Sequence, residues 1–246
     1  MALTVRRLVI LILAGCTLAA ADFTFYATLR AGQPANAGWE MGLGTTAAAD
    51  QSTGQFRWSN SSPFWRPGGQ PQNFRIGWQS STQTAYVTVF DSSNTPWTRQ
   101  LTNSGPAVGV NTTWTFPAAG FFTQAAATGR PASVNIANLS LAPGVQILSG
   151  SLPSSIGASS PPASSSSMSA PLVIRAASTG GDWYIAGNIR FTGLITGGGG
   201  GASNSDLQFA MQAAGVDTPE SSTVLLTAGG LLVLLGWNRK RRPDAL

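Results

Sequence analysis

Alternation of apolar and polar residues over short stretches is the main pattern of this chain, and it predicts β-strands. The pattern is clear from residue 23 onwards, where every second side chain is apolar: Phe23, Phe25, Ala27 and Leu29. A period of two places such side chains on one face of a strand and the polar ones on the other. The same pattern returns in residues 182–192, where the apolar face consists of Trp183, Ile185, Ile189 and Phe191. Both stretches are therefore predicted to be half-buried strands.

The strongest strand pattern lies at residues 84–90, which are rich in β-branched and aromatic side chains. A polar turn at 79–83 separates this segment from a second strand pattern at 73–78. The two segments are expected to form a hairpin. Shorter strands are predicted at 55–58, 111–116, 172–176 and 206–210.

Residues 133–141 carry an irregular strand pattern. Their apolar positions change parity, from Val134 and Ile136 to Leu139 and Leu141. In a straight strand these two pairs would face opposite sides of the sheet. One extra residue in a strand restores the common face, so we predict a β-bulge in this segment.

Many short strands, turns rich in glycine and serine, and no helical periodicity between the two ends predict an all-β fold. The expected architecture is a single two-sheet β-sandwich, jelly-roll-like, over residues 22–210. Residues 149–171 are rich in serine and proline and hold few apolar groups, so we expect a long surface loop there.

The C-terminal end combines an apolar run with a basic cluster. Residues 224–237 carry no charge and would form a helix of roughly 21 Å, shorter than the roughly 30 Å hydrocarbon core of a bilayer. Trp237 lies where an interfacial aromatic side chain belongs. The cations that follow it are Arg239, Lys240, Arg241 and Arg242. We therefore predict a short transmembrane helix at 224–237, a basic cytoplasmic tail at 238–246, and export of the preceding residues.

A sorting-signal pattern covers residues 217–242. The segment that precedes the apolar run and the arginine cluster consists of Thr218, Pro219, Glu220 and Ser221. This order resembles the PEP-CTERM signal of Gram-negative bacteria, although Ser221 stands where that family usually has a second proline. The resemblance implies a substrate of the membrane transpeptidase exosortase, with residues 211–223 as spacer and sorting motif. A generic tail anchor and a buried helix of a globular domain are the alternatives.

The N-terminus has the layout of a secretory signal peptide, predicted at residues 1–21. Arg6 and Arg7 precede an apolar run at 8–13, and small residues follow up to Ala21. Alternatively, the segment ending in Cys16 resembles a lipobox, in which case the Cys16 thiol carries a diacylglycerol. We prefer the plain signal peptide, because a lipid adds little to a chain that already has a C-terminal anchor.

Charge is scarce between the two ends. The 246 residues have a formal net charge of +5, but six of the 14 cations lie in the terminal segments. Residues 22–216 contain eight scattered arginines and six acids, so they offer no basic stripe to nucleic acid. Cys16 is the only cysteine, and the exported part must therefore be stable without a disulfide.

The residue inventory excludes several catalytic arrangements. The chain has no histidine, and its one cysteine lies in the signal segment, so Ser-His, Cys-His and zinc sites are ruled out. Glycoside hydrolysis needs only two carboxylates, for which Glu40 with Asp50 or Asp91 are the formal candidates. Acids in sandwich loops more often cap turns, and these acids form no calcium-binding run. We expect a protein that is not an enzyme and has no cofactor or metal.

Tryptophans interleaved with polar residues make glycan binding the main alternative function. Trp65 and Arg66 lie in a predicted loop at 63–71, with Asn73 just beyond it, and these three are the candidate glycan contacts. Trp58 and Trp78 lie on predicted strands, where packing in the core is the competing interpretation.

Residues 55–92 resemble the choice-of-anchor ectodomains that often precede sorting signals. The likeness lies in Gln-Phe-Arg-Trp at 55–58, Gly-Gly-Gln-Pro-Gln-Asn-Phe-Arg-Ile-Gly-Trp at 68–78 and Thr-Ala-Tyr-Val-Thr-Val at 84–89. Those ectodomains have no settled biochemical activity. The sequence therefore predicts a cell-surface or extracellular-matrix protein with a structural or adhesive role, whose partners are a membrane, a sorting enzyme and extracellular polysaccharide. A lectin-like module and a secreted glycosidase are the alternatives.

Overall fold

The structure is a computed structural model that describes residues 23–31, 39–45, 56–57, 70–91, 93–117, 121–125, 131–160, 164–167, 171–176, 180–193 and 207–216. All of these ranges belong to one unit, Ala21–Val216. Within them, no helix has the length and apolar character needed to cross a membrane.

All regular elements in the described ranges are β-strands. They are β1 (Phe23–Ala31), β2 (Trp39–Gly44), β3 (Phe56–Arg57), β4 (Gln72–Gln79), β5 (Thr84–Phe90), β6 (Pro96–Thr102), β7 (Thr113–Phe116), β8 (Phe121–Ala125), β9 (Ala132–Leu141), β10 (Gln146–Ser149), β11 (Ser155–Ser160), β12 (Ser164–Ser167), β13 (Leu172–Arg175), β14 (Trp183–Thr192) and β15 (Gln208–Val216).

Two antiparallel sheets contain these strands. In the larger sheet the order is β10-β13-β7-β15-β1-β2-β3, with β8 paired to β15 and β12 paired to β8. In the smaller sheet the order is β11-β9-β14-β4-β5-β6. The predicted hairpin is confirmed as β4 and β5, with Gln79 paired to Thr84 beside the turn. The fold is thus an all-β sandwich of two antiparallel sheets.

Aromatic side chains from both sheets fill the space between them. Trp114 of the larger sheet contacts Trp78 and Trp183 of the smaller one, with ring centroids 5.3 and 5.0 Å apart. Phe74 and Phe209 meet across the same interface at 5.4 Å. All five side chains are fully buried. Burial of each large apolar side chain contributes about 1.5–3 kcal/mol, so sheet packing is the main source of stability in the described part of the chain.

The alternation seen in the sequence is confirmed in β1 and β14. The apolar positions of β1 are buried, while the polar positions between them are mostly half-exposed. In β14 the predicted apolar face is also buried, and the alternate residues face away from the core. A period of two therefore located both strands and the correct face of each.

Residues 149–171, predicted to be a surface loop, contain two strands. β11 pairs with β9 along its whole length, and β12 pairs with β8. Composition was misleading because backbone hydrogen bonds to neighbouring strands help to order these serine-rich segments, and β11 also packs Ile156 and Ala158 against the core. The loop prediction is corrected accordingly.

The sheet also continues past residue 210. β15 extends to Val216, with Phe209, Met211 and Ala213 buried on one face. It has β1 on one side and β7 and β8 on the other. Gly215 fits because a Cβ there would lie 2.9 Å from a ring atom of Trp114. Residues 211–216 thus belong to the sandwich rather than to the predicted spacer.

The bulge predicted in residues 133–141 is confirmed. Ala186 of β14 pairs with Ser140 of β9, but Asn188 pairs with Ala137, so β9 holds one extra residue between these points. Asn138 lies in this interval and has a φ of 55°. Asparagine tolerates the left-handed region better than most residues. The bulge brings the exposed Asn138 beside β14.

Candidate functional site

The outward face of the smaller sheet carries three asparagines on adjacent strands. Asn73 of β4 pairs with Asn188 of β14, and the bulge places Asn138 of β9 on the other side of Asn188. Asn138 Nδ2 donates to Asn188 Oδ1 at 2.7 Å. Asn188 Nδ2 in turn donates to Asn73 Oδ1. We call Asn73, Asn188 and Asn138 the asparagine row.

The asparagine row retains hydrogen-bonding capacity at both ends. A carboxamide has one carbonyl acceptor and an NH₂ group with two donor hydrogens. Among the described residues, neither the Asn73 NH₂ group nor the Asn138 carbonyl has a protein partner. One end of the row therefore donates and the other accepts. Hydroxyl groups, which do both, are complementary to such a surface.

Arg75 lies next to the row, between two aromatic rings. On the exposed face of β4 it is two residues from Asn73 and pairs in register with Ala186 and Thr88. Its guanidinium carbon is 5.4 Å from the ring centroid of Phe90 and 5.0 Å from that of Tyr184. Both rings occupy diagonal positions on the neighbouring strands, which long side chains can reach. The two cation–π contacts hold the guanidinium over the sheet.

A shallow depression of about 290 Å³ includes the asparagine row and Arg75 in its lining. Ala186 and Ser140 lie opposite Arg75 in register and contribute short side chains, so the surface sinks there. The ring of Phe90 and the amide of Asn94 also line it, and no carboxylate does. Its volume is at the lower limit of small-molecule sites, roughly 300 Å³. It fits one small unit of a ligand rather than a large one.

Gly77 lies two residues beyond Arg75 on the same face of β4, with a tyrosine on each neighbouring strand. It pairs with Tyr184 of β14 and with Tyr86 of β5. A Cβ on Gly77 would collide with the carbonyl oxygen of Trp183 and would lie 2.8 Å from Tyr184 Cα. Burial raises the pKa of Tyr86 to about 12, against a smaller lowering effect of Arg75. The Tyr86 hydroxyl is therefore neutral at physiological pH.

The described acids of the smaller sheet, Asp91 and Asp182, are engaged in turns. Asp182 Oδ1 accepts the N–H of Ser80 at 2.7 Å. Asp91 Oδ1 accepts the N–H groups of Ser93 and Thr95, each at 2.8 Å. The hydrogen bond from Thr95 is the largest cause of the lowered pKa of Asp91. Both carboxylates therefore have structural partners.

The formal glycosidase pair receives no geometric support from these observations. Asp91 caps a turn of the smaller sheet. Glu40 belongs to β2, in the larger sheet. Asp50 lies outside the described residues.

Of the three predicted glycan contacts, the structure describes Asn73, which lies in the asparagine row. Trp65 and Arg66 lie outside the described residues, so their place beside Asn73 stays a prediction. Trp78 is fully buried, which confirms the core-packing interpretation for this tryptophan.

The terminal signals lie outside the described residues as well. They comprise Cys16, the motif Thr218, Pro219, Glu220 and Ser221, and the cations Arg239, Lys240, Arg241 and Arg242. The signal peptide at 1–21, the helix at 224–237 and the tail at 238–246 therefore stay predictions.

Sequence reasoning did not identify Asn138 and Asn188 as partners of Asn73. Two signals were available, because Asn188 lies on the polar face of a predicted strand and Asn138 lies in the predicted bulge. Strand order and register, which bring the three together, depend on pairings between distant segments.

Across the ranges given above, no group of three or more Asp, Glu, Cys or His side chains is placed to hold a metal ion. Neither a known protein family nor a characterised protein matches the chain. The chemistry of the outward face is therefore the basis for a functional interpretation.

Proposed function

We propose that the chain is a non-enzymatic, exported protein of the cell surface or extracellular matrix, and that its sandwich adheres to extracellular polysaccharide through the asparagine row. The observation that carries this proposal is the row of exposed, mutually hydrogen-bonded carboxamides beside Arg75. Carboxamides match sugar hydroxyls as donors and acceptors. The ring of Phe90, which lines the depression, adds apolar surface beside the row.

The shape of the face favours adhesion to a polymer over catalysis on a small substrate. The depression is shallow, and its lining has no carboxylate to act as an acid, base or nucleophile. A polysaccharide can lie across an open sheet and repeat weak contacts along its length. Several weak contacts on one chain add up to a much stronger attachment.

Export and sorting are the second part of the proposal, supported by the sequence. The signal peptide, the PEP-CTERM-like motif and the low charge of residues 22–216 are typical of an exported protein. The short C-terminal helix would hold the protein in the inner membrane until an exosortase-like enzyme processes it. We also propose that the two-sheet sandwich is jelly-roll-like.

Affinity electrophoresis tests the adhesive part. The purified full-length protein, in mild detergent, is run through native gels that contain a series of neutral and acidic polysaccharides. We expect at least one polymer to retard the wild type and Asn188→Ala to lose most of that retardation, because Asn188 makes both hydrogen bonds of the row.

Gln212→Ala is the matched control. Gln212 Nε2 donates to the Tyr26 hydroxyl at 2.9 Å on the larger sheet, so this variant also removes one amide hydrogen bond. It should be retarded like the wild type. Equal retardation of Asn188→Ala and the wild type, or no retardation by any polymer, contradicts the proposed function.

A tag placed after Leu246 tests sorting in a host that has the exosortase. We expect mature protein at the cell surface or in the medium without the tag. Recovery of mature protein that keeps the tag would show that the C-terminal end is not processed.

A further inference from the structure

Two arginines lie on opposite sides of the asparagine row. Arg75 of β4 is two residues from Asn73, and Arg190 of β14 is two residues from Asn188 in the other direction. Both are exposed on the outward face of the smaller sheet. At about 3.3 Å per residue, their positions are roughly 13 Å apart along the strands. The face therefore presents a cation, a row of amides and a second cation in sequence.

One described acid acts on the same region, because the charge of the exposed Asp182 influences Tyr86, as that of Arg75 does. Arg75 and Arg190 form no ion pair with any described carboxylate, and the depression has none in its lining. Asp91 and Asp182 are held by backbone N–H groups at the ends of strands. Two exposed guanidinium groups beside neutral amides give the face a local positive potential.

The environment of Arg75 restricts the motion of its side chain, which favours ligand binding. Its guanidinium is fixed by the rings of Phe90 and Tyr184, so less side-chain freedom is lost when a ligand binds. A guanidinium has a planar set of donors that matches the two oxygens of a carboxylate. The neighbouring amides match hydroxyl groups.

From this arrangement we infer that the polymer bound by the asparagine row is an acidic polysaccharide, with Arg75 and Arg190 as its carboxylate contacts. This inference rests on the proposed function and adds the class of ligand to it. The amides bind hydroxyl groups of the units between two carboxylates. Charge complementarity selects this occupant over a neutral polymer, whose binding would leave both guanidinium groups without a partner.

The test compares two polymers that differ only in charge. Polygalacturonate and its carboxyl-reduced, neutral form are titrated into the full-length protein in mild detergent, and binding is followed by calorimetry at low and at moderate salt. We expect the wild type to bind the acidic polymer roughly 25-fold to 100-fold more tightly, because each of the two arginines contributes a charged hydrogen bond worth about fivefold to tenfold. The preference should shrink as salt increases.

Three arginine variants locate the effect. Arg75→Gln and Arg190→Gln should each lose about fivefold to tenfold in affinity for polygalacturonate and little for the neutral polymer. Arg99→Gln changes the net charge equally but lies on β6 with its side chain on the inward side, alternate to the exposed Thr98 and Gln100. It should bind within about twofold of the wild type, because long-range charge effects are screened.

The outcomes separate the inference from the proposed function. Equal affinity for both polymers overturns the inference and leaves polysaccharide binding in place. Unchanged binding by Arg75→Gln and Arg190→Gln overturns it too. Single-stranded DNA bound as tightly as polygalacturonate would indicate a general polyanion site and contradict a saccharide-specific one. A preference reduced about fivefold to tenfold in both variants, with Arg99→Gln unaffected, supports it.

Discussion

The two faces of β14 differ in almost every respect although they share one backbone. On the inward face, Trp183 contacts Trp114 of the other sheet at 5.0 Å and Phe116 at 5.5 Å, and it is fully buried. On the outward face, Asn188 is hydrogen-bonded to two asparagines, and Arg190 is exposed. A period of two thus separates the residues that stabilise the sandwich from those available for recognition. A substitution on one face should change stability, and one on the other should change binding.

The largest effect is expected on the inward face. Trp183→Ala removes a side chain packed against Phe25, Trp114 and Phe116 and should lower the free energy of unfolding by about 3–5 kcal/mol. Trp183→Phe should cost much less, because its Nε1 has no hydrogen-bond partner among the described residues to lose. Denaturant unfolding followed by circular dichroism measures both. A loss below about 1 kcal/mol for the alanine variant would show that Trp183 is not a central core residue.

A smaller loss of stability is expected at the boundary between the faces. Gly77→Ala places a Cβ against the Trp183 carbonyl oxygen and 2.8 Å from Tyr184 Cα, and backbone atoms cannot move aside easily. The free energy of unfolding should fall by about 1–3 kcal/mol. Because Tyr184 also contacts Arg75, polysaccharide binding should weaken in the same variant. Normal stability together with normal binding would contradict the close approach of β4 and β14 at this point.

Asn188→Ala should have a weak effect on stability, about 0.5–1.5 kcal/mol, because its hydrogen bonds lie at the exposed surface. The same variant should lose most of its polysaccharide binding, a larger effect than its small loss of stability. Parallel unfolding and binding measurements on Asn188→Ala and Trp183→Phe compare the two faces directly. If the binding affinity of each variant falls only in step with its free energy of unfolding, the outward face has no role in binding that is separate from stability.

The smallest effect concerns pH. The pKa of Tyr86 is raised from 10.0 to about 12 by burial, so the folded state keeps this phenol protonated. The associated stability is fully present below pH 10 and is lost as the pH rises towards 12. Midpoints of denaturation measured across that window should fall more steeply for the wild type than for Tyr86→Phe. Identical slopes would show that Tyr86 is not buried as described.

The sequence was sufficient where local alternation decided the structure. In β1 and β14 large side chains at every second position identify both the strand and its buried face. The bulge of β9 was also visible, because Val134, Ile136 and Leu139 cannot share a face in a straight strand.

Prediction failed where glycines hide the local pattern and where ordering comes from partners distant in sequence. β2 has glycine at two of its six positions, which hides the alternation of Met41 and Leu43. β11 and β12 consist mainly of serine and are ordered by pairing with β9 and β8. A local pattern contains no information on such pairings.

The same limit applies to the candidate site. Asn73 was selected because it follows a tryptophan-containing loop, and that criterion says nothing about its neighbours in space. Asn138 and Asn188 are 50 residues apart in the chain, and Asn188 and Asn73 are 115 apart. Only the register of β9, β14 and β4 joins them in one row.

The most direct test of the account is a side-chain amide NMR spectrum of the ¹⁵N-labelled full-length protein during titration with a polygalacturonate oligomer. The account predicts that the NH₂ signals of Asn73, Asn138 and Asn188 shift together and saturate at the same ligand concentration. The NH₂ signal of Asn103, which donates to the carbonyl oxygen of Pro106 in a loop, should stay in place. Binding that shifts other signals and leaves the asparagine row unchanged would contradict the account.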